Sequence, residues 1–162
     1  MAARKGSRGT KDKEAELLLH KWLLSKGYLV HKAARAGFIR MPGGQSFCQS
    51  HDIFGCFDIL ALQKKELCPP EFPQSWLLQV TTQAGLPTRR KKIDAVSDKI
   101  PDNILISLVT HERTQDPANR SRSKNFWRMQ NWNHDTKSWN EPTAVEFHAG
   151  EIRKITIRKK RD

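Results

Sequence analysis

No stretch of this chain approaches the roughly 18 consecutive apolar residues that a membrane-spanning helix needs, and its basic, polar start has no apolar secretion-signal core. A soluble protein that is not secreted is therefore expected. Cysteine is scarce: Cys48, Cys56 and Cys68 are an odd number, which argues against a disulfide framework and for a reducing, cytoplasmic setting, or host cytoplasm for a viral source. Glycine-rich nucleotide fingerprints are missing as well. Pro42-Gly43-Gly44 is not followed by the Gly-Lys-Ser/Thr of a phosphate-binding loop, so triphosphate binding is unsupported. Acids are few beside bases, 17 against 29, and the resulting net charge of +12 points to a polyanionic partner, nucleic acid before membrane.

The 162 residues suit one compact domain with its own core. Residues 1–13 carry Arg4, Lys5, Arg8, Lys11 and Lys13 against one acid, Asp12, with Gly6 and Gly9 between them; this predicts a flexible basic arm. Residues 14–162 then form a single domain with a β-rich, aromatic and basic C-terminal extension. From about Asp12 to Lys26, Leu18, Leu19, Trp22 and Leu23 recur at helical spacing, with Gly27 as the C-cap. Tyr28-Leu29-Val30 opens a strand. Residues 33–50, rich in Gly, Pro and Ser and carrying Arg35 and Arg40, read as a long functional loop.

Two further segments, 57–62 (FDILAL) and 76–82 (WLLQVTT), read as buried strands separated by a proline-containing connection. Thr88 is placed to cap a helix running from Arg89 to Val96, whose basic first turn calls for a phosphate to offset its unfavourable position on the helix dipole. A strand over 103–110, a polar loop over 113–125, an aromatic β-rich region containing Trp127, Trp132 and Trp139, and a basic end over 152–161 complete the chain. This order predicts an α/β fold with a central mixed β-sheet flanked by helices.

Asp58, next to Phe57, Ile59 and Leu60, is an acid in a buried-looking strand. Its burial costs roughly several kcal/mol unless a cation compensates it, which makes a divalent metal site the first hypothesis. In the second strand Gln79 and Thr81 share a face while Val80 points the other way. If the strands are neighbours, Asp58 and Gln79 converge, and a glutamate from the first helix would add a third hard oxygen for Mg²⁺ or Mn²⁺.

Arg8-Gly9, Glu16, Lys26-Gly27-Tyr28, Phe57-Asp58-Ile59-Leu60 and Gln79-Val80-Thr81 together resemble the motifs of the PD-(D/E)XK nuclease superfamily, most closely archaeal-type Holliday junction resolvases. The resemblance spans roughly residues 8–110. It implies a restriction-endonuclease-like core and a metal-dependent, structure-selective endonuclease that hydrolyses phosphodiester bonds in branched DNA as a homodimer. Glu16 is then preferred to Glu14 as the helix acid, and Glu16, Asp58, Gln79 and the Val80 carbonyl would hold Mg²⁺ or Mn²⁺. Phe57 stands where the family has proline, Gln79 where it has an acid, and Thr81 where it has a catalytic lysine, for which Lys91 or Lys92 is the expected substitute. Arg4, Lys5, Arg8, Lys11, Arg35, Arg40, Arg89, Arg90, Lys91 and Lys92 would hold the DNA backbone. The alternatives are a restriction-like or repair nuclease of the same fold, or a binding protein that has lost catalysis.

Other constellations are weaker. Asp52 reads as a turn residue or a second acid, with the turn favoured. Cys48, His51, Cys56 and Cys68 faintly resemble a zinc site. The tryptophans fit sheet packing or a dimer contact better than base stacking.

Overall fold

The computed structural model describes residues 8–40, 42–44, 46–64, 72–116, 119–147 and 152–154. Helix α1 spans Arg8–Ser25 and buries Ala15, Leu19, Trp22 and Leu23, residues whose spacing puts them on one helical face. Leu18, expected inside, lies off that face and is 50% exposed. Gly27 ends the helix with φ 81°, its amide donating to the Leu24 carbonyl at 3.0 Å, as the expected C-cap requires. The helix begins earlier than expected, so Arg8, Lys11 and Lys13 of the predicted arm are helical; Arg4 and Lys5 lie outside the described residues.

Ten strands follow the helix among the described residues: β1 (Tyr28–Lys32), β2 (Ala34–Arg40), β3 (Ser46–His51), β4 (Ile59–Gln63), β5 (Ser75–Thr81), β6 (Leu105–Asp116), β7 (Asn119–Asn133), β8 (Ser138–Trp139), β9 (Thr143–Phe147) and β10 (Ile152–Lys154). Between β5 and β6 come a 3-10 turn (Gln83–Gly85) and helix α2 (Leu86–Ser97). The main sheet has the order β1-β4-β5-β6-β7-β9-β10, with β8 paired to β7. It is mixed: β5 and β6 run parallel, joined by the α2 crossover, while the other pairs are antiparallel.

Two expected loops are hairpins instead. Strands β2 and β3 pair antiparallel within residues 33–50, and the Pro-Gly-Gly that reads as loop punctuation sits in the turn, with Gly43 at φ 110° and Gly44 at φ 81°. A register shift between Ala34 and Gly37 breaks the alternation by which the strand would have been recognised. Residues 113–116 and 119–125 likewise belong to the paired strands β6 and β7, whose polar sequence carries no period-2 apolar signal. Residues 155–161 of the basic end lie outside the described residues.

Strand β5 is buried on both faces, which explains its continuous apolar run. Trp76, Leu78 and Val80 pack toward α1 with Leu19, Trp22 and Leu23, while Leu77 packs with Ile93 of α2 and with Ile106 and Leu108 of β6. The sheet therefore lies between two helical layers, the expected α/β arrangement. No helix among the described residues is long and apolar enough to cross a membrane.

Candidate functional site

Asp58 is the residue immediately before β4, where the β4–β5 ladder ends at the Ile59–Leu78 pair. Its backbone is held on both sides: the amide donates to the Leu78 carbonyl at 3.0 Å and the carbonyl accepts from the Ala33 amide at 2.7 Å. Beyond that point the carboxylate takes over from the ladder. Oδ2 accepts from the Val80 amide at 2.8 Å and from Gln79 Nε2 at 2.6 Å. Asp58 and Gln79 thus converge as the strand reading anticipated.

The amide of Gln79 presents its nitrogen to Asp58, and the same Nε2 donates to the Val80 carbonyl at 2.9 Å. This leaves Gln79 Oε1 buried without a hydrogen-bond partner. Both described bonds to the Asp58 carboxylate end on Oδ2, so among the described residues neither Oδ1 nor the buried Gln79 Oε1, both hard oxygens, accepts a hydrogen bond. Burial is the main cause pushing the Asp58 carboxyl up to about 7. The Val80 amide opposes it, Glu16 and Asp52 add to it, and Arg89 counteracts it.

Glu16 is therefore near enough to act on Asp58, but its carboxylate pairs with Lys32 Nζ at 2.9 Å. Lys32 closes β1 opposite Ile59, one residue from Asp58. Nothing in the alternating strand YLVHK distinguished Lys32 beforehand. Asp52 takes the favoured turn role, its carbonyl accepting from the Gly55 amide, and its carboxylate lies 3.4 Å from Arg89 Nη1, an ion pair the sequence did not suggest.

Helix α2 starts at Leu86 with Gly85 as N-cap and Pro87 in the first turn, so Thr88 is inside the helix rather than its cap. The Arg89–Lys92 run consequently begins one turn later than expected. Arg89 is the α2 cation acting on Asp58; Lys91 and Lys92 are exposed, and Lys92 acts instead on Cys56. Arg90 turns to the other side, where Nε donates to Gln130 Oε1 at 3.0 Å. Arg35 and Arg40 lie on β2, and Arg8 and Lys11 on α1.

No family model, curated protein or solved structure matches this chain. Its chemistry is read from its own geometry. The two unfilled oxygens, one a carboxylate and one a neutral amide, fit a hard divalent cation. Glu16 would complete the set by exchanging its bond to Lys32. Among the described residues no group of three His, Cys, Asp or Glu is gathered to hold a metal. The buried Cys56 thiol is pushed up to about 11, mainly by burial and then by Asp52, so without a metal it stays protonated near neutral pH. Cys68 lies outside the described residues.

Thr81 is buried beside Thr110 in the parallel register, on the α2 face of the sheet. A cavity of about 400 Å³ opens along the same face, lined by Leu86, Thr110, Glu112, Arg128 and Gln130 among others. Glu112 Oε1 accepts from Gln83 and pairs with Arg128 Nε at 2.9 Å. The sequence reading missed this polar wall; the alternation Leu108, Thr110, Glu112, continuing the face of Gln79 and Thr81, was the available signal. The tryptophans pack the sheet, as favoured. Trp127 is buried against His111 with centroids 4.7 Å apart, and Trp132 meets Trp139 edge-on at 5.5 Å.

Proposed function

We propose that this chain is a metal-dependent DNA endonuclease with a restriction-endonuclease-like core, acting on branched DNA in the manner of Holliday junction resolvases. The observation that carries the reading is the Asp58 carboxylate at the open end of the β4–β5 ladder, bonded to the Val80 amide and Gln79 with unfilled oxygens beside it. With the β2–β3 hairpin set aside, the order α1, β1, β4, β5, α2, β6 is the helix, three-strand, helix, strand succession expected from the sequence.

Asp58, Gln79, the Val80 carbonyl and Glu16 are the residues that would hold Mg²⁺ or Mn²⁺. When bound, such an ion supplies Lewis acidity to a scissile phosphate and a lowered pKa to its water. Asp58 serves as a ligand only when ionised. Lys32, already on the carboxylate of Glu16, is better placed than Lys91 or Lys92 to supply the charge that Thr81 lacks. The Thr81 hydroxyl can orient water but brings no charge. Exposed Lys91 and Lys92 bind the surrounding phosphodiester backbone. A two-fold junction calls for a homodimer, and the cytoplasmic setting follows from the sequence reading.

The test is cleavage of a four-way junction, a linear duplex and a flap at equal concentration with Mg²⁺ or Mn²⁺, using wild type and Asp58→Ala. Junction cleavage that falls by roughly a hundredfold or more in the variant is expected. Equal cutting of all three DNAs would remove the resolvase label and leave a general nuclease. A second reading, a DNA-binding protein without catalysis, is favoured by the Gln79 nitrogen facing Asp58 and by Thr81 in place of lysine. Metal-independent binding with no cleavage in either protein would select it.

A further inference from the structure

Phe54 is 66% exposed, more than any other large apolar side chain among the described residues, and its backbone sits at φ 52°. A bulky non-glycine residue pays a steric penalty in that left-handed region. Exposure and strain at one residue are hard to explain by packing, because the side chain contributes little to the core. Outliers of this kind cluster where a side chain is displayed for use.

The turn is built to hold the display still. Ile53 and Phe57 form an antiparallel bridge, with the Ile53 amide donating to the Phe57 carbonyl at 2.8 Å and the Phe57 amide to the Ile53 carbonyl at 3.0 Å. Gly55 follows at φ 74°, and buried Cys56 and Phe57 anchor the descending limb in the core beneath α2. One residue farther on is Asp58. Arg89 pairs with Asp52 on the ascending limb, and the charges of both Arg89 and Lys92 reach Cys56. An exposed ring on a turn that Arg89 and Lys92 approach two residues away, at Asp52 and Cys56, is suited to a ligand that combines negative charge with a flat apolar face. Single-stranded nucleic acid is such a ligand.

We infer that Phe54 is a base-stacking residue that takes an unpaired nucleobase of DNA next to the phosphodiester received at Asp58. The inference rests on the proposed nuclease reading for the identity of the polyanion, but not for catalysis. Rigid display means that little order has to be imposed on the protein when the base arrives. Stacking also explains why the ring is tolerated in a conformation that asparagine or glycine would adopt more readily.

The experiment uses the full chain in EDTA and two duplexes of one sequence, one fully paired and one carrying a single bulged 2-aminopurine. Fluorescence reports stacking and titration reports affinity for wild type, Phe54→Asn, Phe54→Leu and Phe54→Tyr. Wild type and Phe54→Tyr should quench the bulged base and bind the bulged duplex on the order of tenfold more tightly than the other two variants. Affinity for the paired duplex should be the same in all four. Phe54→Asn should also unfold no earlier than wild type, since asparagine accepts the left-handed backbone. Equal weakening on both duplexes, no difference among variants, no DNA binding, or a change confined to oligomeric state in light scattering would overturn the inference. Adding Mg²⁺ to the same samples reads catalysis separately: absent cleavage with the stacking difference intact defeats only the nuclease reading, and retained cleavage without that difference defeats only the stacking.

Discussion

Asp58 accepts two hydrogen bonds on one carboxylate oxygen and still has its carboxyl raised to about 7, because burial outweighs the Val80 amide and neighbouring Glu16 and Asp52 add repulsion. Its folded pKa lies above the ordinary 3.8, so between these values the folded protein holds a proton that the unfolded chain has released. Stability contributed by the protonated carboxyl is therefore full below about pH 4 and is lost as pH rises toward about 7. Asp58→Asn should remove that slope, making the variant more stable than wild type by about 2 kcal/mol near pH 8 and by little near pH 4, after allowance for partial solvent screening. Urea titrations at both ends of the range check this; a pH-independent difference would show that ionisation is not the cause. Asp58 and Gln79 were legible in the sequence because polar residues inside apolar runs stand out. Lys32 and the ion-pairing role of Asp52 were not, since each depends on which distant element folds against it: α1 for Lys32, α2 for Asp52.

Helix α2 comes down on the end of β5 at Gly85, where a Cβ would stand 2.5 Å from Thr81 Oγ1. The backbone there is ordinary, at φ −84°, so the glycine is needed for space and not for conformation. Gly85→Ala should destabilise the protein by about 1–3 kcal/mol through overpacking and disturb the Thr81 hydroxyl on the site face. Removing that hydroxyl should relieve the clash: Gly85→Ala with Thr81→Ala should be more stable than the sum of the two single losses predicts, by about 1 kcal/mol. Denaturant midpoints of the four proteins test the cycle, and additive losses would place the strain elsewhere. At this scale the sequence revealed α1, β1, β4, β5, α2 and β6, whose apolar periodicities are carried by one or two buried faces. The β2–β3 and β6–β7 hairpins escaped because a Gly-containing register shift in one and a polar ribbon in the other leave no periodicity to read.

Across the whole molecule a net charge of +12 favours any polyanion by long-range attraction, independently of whether the Asp58 centre cuts it. What the folded structure adds is a division of labour within one basic run. Arg89 is paired with Asp52 and Arg90 hydrogen-bonds the neutral Gln130, whereas Lys91 and Lys92 remain exposed on α2. Cations that can reach phosphate release counterions from DNA when they bind, so the two exposed lysines should register in the salt dependence, and Arg89 less because Asp52 already offsets its charge. Duplex affinity should fall by about a hundredfold or more between roughly 50 and 200 mM salt. Lys91→Gln with Lys92→Gln should lower the slope of log affinity against log salt by about 2, with no change in preference among duplex sequences, because phosphate contacts carry no base information. Fluorescence anisotropy across a salt series measures the slope directly. A flat salt dependence would remove DNA as the partner, while an unchanged slope in the double variant would move the contact surface away from α2.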